Sequence, residues 1–280
     1  MENFIGLNGK TIIEGLKFPE GPVFDFNGNL WFVEILGGNL SMWNGTQLTR
    51  FYVDGTPNGA MVDRTGNIWF CDSARGEIRI FDPVQQTFKT ICDRTTDGTH
   101  LQRPNDLIFD AVGNLLFSDH ADGREMPLST ICVLANGSNQ AKVVSANKYF
   151  TNGLALMADA KTLLFSETYK QQIWIGDWDS GSLELHNERA FAKAGDGPWG
   201  PDGIAFDDQE NLFATIFNES KINVYRKDGR LINAIRCQGN RPTSCAFDPN
   251  GILGLVVTEA EHGELISFPD FGKGLSIFYK

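Results

Sequence analysis

The sequence predicts an all-β chain closed into a six-bladed β-propeller, with four-stranded blades around a central channel. Three observations predict it. A strand–turn–strand unit recurs six times. Its pre-turn position falls at Asp25, Asp63, Asp110, Met157, Asp207 and Asp248, between 38 and 50 residues apart. The residues between units again read as strands, and no stretch carries the apolar period of an amphipathic helix. A β-sandwich or an up-and-down barrel does not require so regular a repeat; a propeller does.

In chain order, blade 1 opens with PEGPVFDFNGNLWFVE (19–34). Blade 2 opens with PNGAMVDRTGNIWFCD (57–72) and continues through GEIRIFD (76–82) and TFKTIC (87–92). Blade 3 opens with PNDLIFDAVGNLLFSD (104–119). Blade 4 opens with TNGLALMADAKTLLFSE (151–167), one residue longer in its turn, and continues through QQIWIGDWD (171–179) and SLELHNERAF (182–191). Blade 5 opens with PDGIAFDDQENLFATI (201–216), followed by SKINVYRKDG (220–229) and RLINAIRC (230–237). Blade 6 opens with PTSCAFDPNGILGLVV (242–257), and strands near 243–247, 252–258 and 263–268 leave it one outer strand short. Either KTIIEGL (10–16) or LSIFYK (275–280) can supply that strand, and the N-terminal segment is favoured. The turns share D-x-x-G-N chemistry, in which Asp starts the turn and Gly or Asn takes the positive-φ position.

Composition narrows the class. The chain has 280 residues, 41% hydrophobic and 21% charged, which is globular, and it is read as one propeller domain over 1–280. The net charge of −11, with no Lys/Arg run, argues against a nucleic-acid partner. No apolar run is long enough to span a membrane, and the start lacks a basic segment followed by an apolar one. Of five cysteines, Cys71, Cys132 and Cys245 fall in apolar strands, and no CxxC spacing occurs. Free buried thiols are expected, and with them a reducing, cytoplasmic setting.

Chemistry enters five residues before each pre-turn position, where Glu20, Asn58, Asn105, Asn152, Asp202 and Thr243 stand. The inner strand of each blade lines the channel, so these oxygen-bearing groups are expected at one level of one mouth. A single such residue would merely solvate the mouth. Two carboxylates and three amides at symmetric positions point to a hard cation with oxygen ligands. Zinc or copper would ask for His or Cys, and none sits at this level. The next position reads Gly21, Gly59, Asp106, Gly153, Gly203 and Ser244. The glycines imply close backbone approach. Asp106 is expected to be buried against backbone amides of an adjacent loop.

FPEGPVFD, RPNDLIFD, TNGLAL and GPDGIAFD resemble the gluconolactonase, regucalcin (senescence marker protein) and luciferin-regenerating-enzyme family, in order and spacing across essentially the whole chain. The resemblance implies a six-bladed propeller with a divalent metal in its channel and hydrolysis of sugar-acid lactones. It implies Glu20, Asn152 and Asp202 as metal ligands, with Asn105 as a fourth ligand or a substrate contact. It further implies Asp202 as general base and Arg103 as a substrate-binding group. Where such proteins carry an acidic sugar-holding residue beyond blade 3's second strand, this chain reads SDHADGREM. No equivalent acid is placed there; His120 and Asp122 are the candidates to take part, which leaves the sugar-acid substrate open but not the metal. Trp199, in DGPWGPDG, is a candidate pocket wall, Asn58 is a candidate substrate contact, and Asn58 and Thr243 are candidates to contact water or to support the ligands from behind.

The expected function is a metal-dependent lactone hydrolase acting through metal-activated water, with a small-molecule substrate. The expected cation is Ca2+, with Mg2+, Mn2+ or Zn2+ as alternatives. A phosphotriester or fluorophosphate hydrolase on the same site, a lyase or cyclase, and a non-enzymatic binding scaffold are the competing functions. A serine nucleophile finds no G-x-S-x-G. Among the histidines, His186 is expected on an outer strand, His262 in a blade 6 turn, His100 leading into the channel and His120 beside its mouth.

Overall fold

The computed structural model describes residues 4–5 and 9–275. They form six sheets, four of them made of four consecutive antiparallel strands and two joined by a strand from the N-terminal segment, and among the described residues there is no α-helix. The inner strands are Pro19–Phe24, Pro57–Val62, Pro104–Phe109, Thr151–Leu156, Pro201–Phe206 and Pro242–Phe247. Each packs against the inner strand of the next blade, and the sixth packs against the first, which closes a six-bladed propeller.

The apolar residues are distributed accordingly. One cluster fills each interface between neighbouring blades, such as Cys71, Ile78, Leu107 and Phe117 between blades 2 and 3. Another, Leu16, Phe24, Phe32, Val256 and Leu265, seals blades 6 and 1. The hydrophobic effect therefore holds blade to blade and leaves the channel axis free for polar groups. Side-chain hydroxyls add a repeating staple near the axis. Ser73 donates to the Pro104 carbonyl (2.6 Å), Thr168 to Pro201 (2.8 Å), Thr215 to Thr243 (2.8 Å) and Thr243 to Pro19 (2.7 Å).

Ring closure uses the N-terminal segment. Lys10–Ile13 runs antiparallel to Glu264–Phe268 as the outer strand of blade 6. Residues 276–280 of the alternative lie outside the described residues, and Leu275 bonds to Phe206 of blade 5 instead. Phe4–Ile5 adds a fifth, parallel strand to blade 5 beside Leu231–Arg236, a departure from four per blade. Pairing of two residues, with no hydrophobic repeat around it, leaves little trace in sequence.

The tight turns follow the Asp-led pattern with two corrections. Gly28, Gly66, Gly113 and Gly251 take the positive φ, but Ala160 does so in blade 4 and Glu210 in blade 5. Turn closure by the Asp207 carboxylate at one site and by Asp159 at the other makes up for the less suitable residue.

A further acid recurs at the end of the second strand in five blades. Glu34, Asp72, Asp119, Glu167 and Glu259 are buried there. Each accepts a backbone N–H from the segment entering its own inner strand: Lys17, Thr56, Gln102 and Arg103, Tyr149, and Arg241. These carboxylates aim the inner strands and are structural.

Candidate active site at one channel mouth

The six ring residues sit at a shared irregularity. In every blade the inner strand carries one extra residue here. In blade 2, Pro57 and Ala60 pair with Asp72 and Phe70, and in blade 3, Pro104 and Leu107 pair with Asp119 and Phe117. The same slip occurs in the other four. Such bulges bend a strand and re-aim its side chains. They account for the glycines that follow. A Cβ on Gly59 would lie 2.7 Å from the Asp106 Cα, and one on Gly203 would lie 2.6 Å from the Ser244 Cα. A Cβ on Gly153 would meet the Asp202 carbonyl at 2.6 Å. Adjacent backbones thus touch at this level and draw the ring together.

Glu20, Asn58, Asn105, Asn152 and Asp202 are buried there. Among the described residues Glu20 accepts only the Gly21 N–H, at 2.8 Å. Asn58 is engaged at both ends, by the Gly59 N–H at 3.1 Å and by Ser73. The Asn152 amide donates to Thr168 at 3.3 Å, which turns its carbonyl oxygen away from that contact. Thr243 departs from the expected ring. Its hydroxyl serves the Pro19 and Thr258 carbonyls, so packing between blades 6 and 1 consumes it.

Asp106 occupies the glycine position of blade 3. Its Oδ2 accepts the Leu154 N–H at 3.0 Å, so its partner is the neighbouring inner strand and not a loop. Burial raises its pKa to about 6, against the Leu154 and Leu107 hydrogen bonds that lower it. Burial raises Glu20 further, to about 8, with Asp106 adding repulsion. Asp202 is pushed well above the carboxylate range by burial, then by Glu20 and Asp106, against the Asn152 side-chain hydrogen bond that lowers it. Its Oδ1 is buried with no hydrogen-bond partner among the described residues. Among the described residues no Lys, Arg or His forms an ion pair with these three acids.

That is the electrostatic signature of a missing counter-charge. Buried like charges suppress one another's ionisation unless a cation joins them. Among the described residues no three His, Cys, Asp or Glu side chains cluster as metal ligands, so two carboxylates alone do not make the site. With the Asn105 and Asn152 carbonyls, however, the donor set is all oxygen and carries two negative charges, and the orphaned Asp202 Oδ1 is one more open donor. These residues fit a hard divalent cation.

Above the ring, Arg103 is exposed, and its guanidinium makes no hydrogen bond or ion pair among the described residues. Asp119 fixes its backbone, accepting the Arg103 N–H at 2.8 Å. His120 is buried and stacked on Phe150, ring centroids 4.1 Å apart. Burial, and then Arg103, lower its pKa to about 4, so it is a neutral imidazole. Asp122 donates its N–H to His120 Nδ1 at 3.3 Å. Trp199 packs on Tyr169 at 5.0 Å and Phe217 at 5.2 Å. His100, His186 and His262 are exposed, with His262 beside Glu264. The strand repeat did not single out Tyr169, Phe150 or Arg124. They follow or precede strands, where spacing carries no signal.

Two cavities of about 610 and 620 Å3 lie elsewhere, one beside Trp69 and Lys89, the other at the turn end of the channel. Neither is lined by a ring residue. The ring mouth is chosen by its chemistry, not by volume.

Fold and ring together define a class: six-bladed propellers with an oxygen-donor site at one channel mouth. The chain belongs to the SMP-30/gluconolactonase/LRE-like family, whose sequence model matches residues 18–261. It is 27% identical over 286 aligned positions to the diisopropyl-fluorophosphatase of Loligo vulgaris, covering 92% of this chain and 90% of that protein. It is 24% identical to the lactonase drp35 of Staphylococcus aureus (strain USA300), covering 81% and 71%. Its fold matches the calcium-binding protein regucalcin of Agrobacterium tumefaciens with a TM-score of 0.86 at 18% identity, over all of both chains.

Proposed function

We propose that this protein is a metal-dependent hydrolase that opens the ring of a small lactone. One observation carries the reading: Glu20 and Asp202 are buried, their ionisation is suppressed, and among the described residues no Lys, Arg or His pairs with them, while Asn105 and Asn152 are buried at the same strand position of their blades. Glu20, Asn105, Asn152 and Asp202 would hold the cation, Ca2+ in the first instance and Mg2+ or Mn2+ as alternatives; the all-oxygen set disfavours Zn2+. When bound, the cation supplies Lewis acidity toward a carbonyl oxygen and acidifies water.

The chain's own groups do the rest. Ionised beside a bound cation, the Asp202 carboxylate would accept a proton from the attacking water, whose oxygen bonds to the carbonyl carbon. The ring C–O bond then breaks, and the leaving alkoxide takes that proton. Arg103 donates to substrate oxygen as negative charge develops. Asn105 orients the substrate or joins the ligands. His120, neutral, and Trp199 bound the pocket. Asn58, already bonded at both ends, holds the ring's shape and borders the substrate. The reading extends to one domain over 1–280 and to a reducing, cytoplasmic setting, which the five free, buried cysteines support. Among the described residues no helix is long and apolar enough to cross a membrane.

The fluorophosphatase of Loligo vulgaris, alike over 92% of this chain, favours a second reading, in which the same site hydrolyses a phosphotriester or fluorophosphate. Elemental analysis of the purified protein, with a lactone panel assayed beside paraoxon and a fluorophosphate before and after chelation, decides between them. Metal-free protein with full lactonase activity overturns the first reading.

A further inference from the structure

The groups over the ring form a wall of unusual character. Phe150, Tyr169, Trp199 and Phe217 run edge to face and tilted across blades 4 and 5, with successive centroids 5.2, 5.0 and 5.2 Å apart. Phe18 of blade 1 continues it at 6.5 Å from Phe217. All five are only partly buried. Phe18 and Phe150 each stand two residues before a ring residue, and both hold left-handed backbone, at φ 59° and 61°. Bulky side chains rarely adopt it, and such outliers gather where a site demands a particular side-chain direction. The Arg124 guanidinium lies 5.7 Å over the Tyr169 ring and 5.6 Å over Trp199, fixing both from the blade 3 loop.

Within this wall one polar atom stands out. Tyr169 Oη is buried and has no hydrogen-bond partner among the described residues. A buried phenol normally finds one. Asp202 is near enough to raise the Tyr169 pKa, behind burial and Asp122, so the phenol stays a neutral donor.

We propose that Tyr169 is a substrate-contacting residue whose hydroxyl bonds a substrate oxygen, and that the aromatic wall selects a lactone with an apolar or aromatic substituent over a polyhydroxylated one. This rests on the lactone hydrolase reading. The wall offers broad apolar faces and one unpaired donor. A sugar-acid lactone carries several hydroxyls, and against Phe18, Phe150 and Phe217 they would lose water without finding partners. A phenyl or alkyl group loses nothing there.

The test uses the metal-loaded full chain with two six-membered lactones, δ-phenyl-δ-valerolactone and glucono-δ-lactone, and with their unreactive lactams. The expected kcat/KM is higher for the phenyl lactone by about tenfold or more. Tyr169→Phe lowers that value about tenfold, because the substrate oxygen loses its donor. Trp199→Leu raises KM for the phenyl lactone by a larger factor than it changes KM for glucono-δ-lactone. Preference for glucono-δ-lactone, or a Tyr169→Phe variant with wild-type melting temperature and wild-type kcat/KM, overturns the proposal. If neither lactone is hydrolysed, the enzymatic reading fails by itself, and calorimetry with the lactams still decides the wall. Tighter binding of the phenyl lactam, weakened by Tyr169→Phe, supports it; equal binding of the two lactams overturns it.

Discussion

The two ends of the same inner strands carry the same residue types and opposite chemistry. At the turn end, Asp110 is fully buried and accepts four N–H groups, from Val112, from Asn114 twice and from Trp178. Asp25 and Asp63 likewise accept backbone N–H groups, an Asn amide and a Trp indole, and hydrogen bonding outweighs burial to lower the Asp63 pKa. At the ring end, among the described residues, Glu20 accepts one N–H and Asp202 Oδ1 none, and both carboxyls are pushed up. Donor supply therefore separates a structural carboxylate from one held ready for a cation, where burial and residue type do not.

The strongest way to break the comparison is to exchange its ends. Asp202→Asn keeps shape and removes charge. It is expected to cut chelator-reversible hydrolysis by about 1,000-fold or more, to lose the metal from elemental analysis, and to leave metal-free melting unchanged or raised. Asp110→Ala should do the reverse. Four donors lose their acceptor, so chemical denaturation should show a loss of about 3 kcal/mol, with metal content and activity per folded molecule retained. A metal-free Asp202→Asn variant that unfolds as readily as Asp110→Ala would show that both ends are structural.

The pH dependence sharpens the contrast at the next scale. Glu20 titrates near 4.5 in an unstructured chain and at about 8 here, and Asp106 moves from 3.8 to about 6. A raised carboxyl stabilises the fold fully below its unfolded value and loses that contribution as pH climbs through the folded one. Metal-free protein should lose stability between about pH 4 and 8, read by denaturation in chelator. Saturating cation, which binds the ionised forms, should flatten or reverse that slope and release protons on binding near pH 7. An identical slope with and without cation would separate these acids from any metal.

The smallest effect is expected at His120. It is neutral at physiological pH and stacked on Phe150, so His120→Phe should change kcat/KM less than about threefold and leave the pH–rate profile in place. A lost alkaline or acidic limb in that profile would make His120 a proton carrier.

The ring was legible because it repeats. Glu20, Asn105, Asn152 and Asp202 stand at one offset from six similar turns, and a repeat converts offset into height along a shared axis. N-terminal closure was legible from the missing strand of blade 6. Thr243 shares the offset, but its neighbour Thr258 and the carbonyls of Pro19 decide that its hydroxyl serves packing. Asp106 was legible as an exception to the glycines, while its partner, the Leu154 N–H of the next blade, was not.

By itself, then, the sequence determined the all-β repeat, the six blades and which oxygen donors share a level, because those follow from periodicity along the chain. The tertiary structure alone decided which donors remain unsatisfied, that Tyr169 and Arg124 reach the mouth, and that Phe18 and Phe150 are held in left-handed backbone. Those depend on what one blade presents to another across the ring, and contacts between segments far apart in sequence leave no period to read.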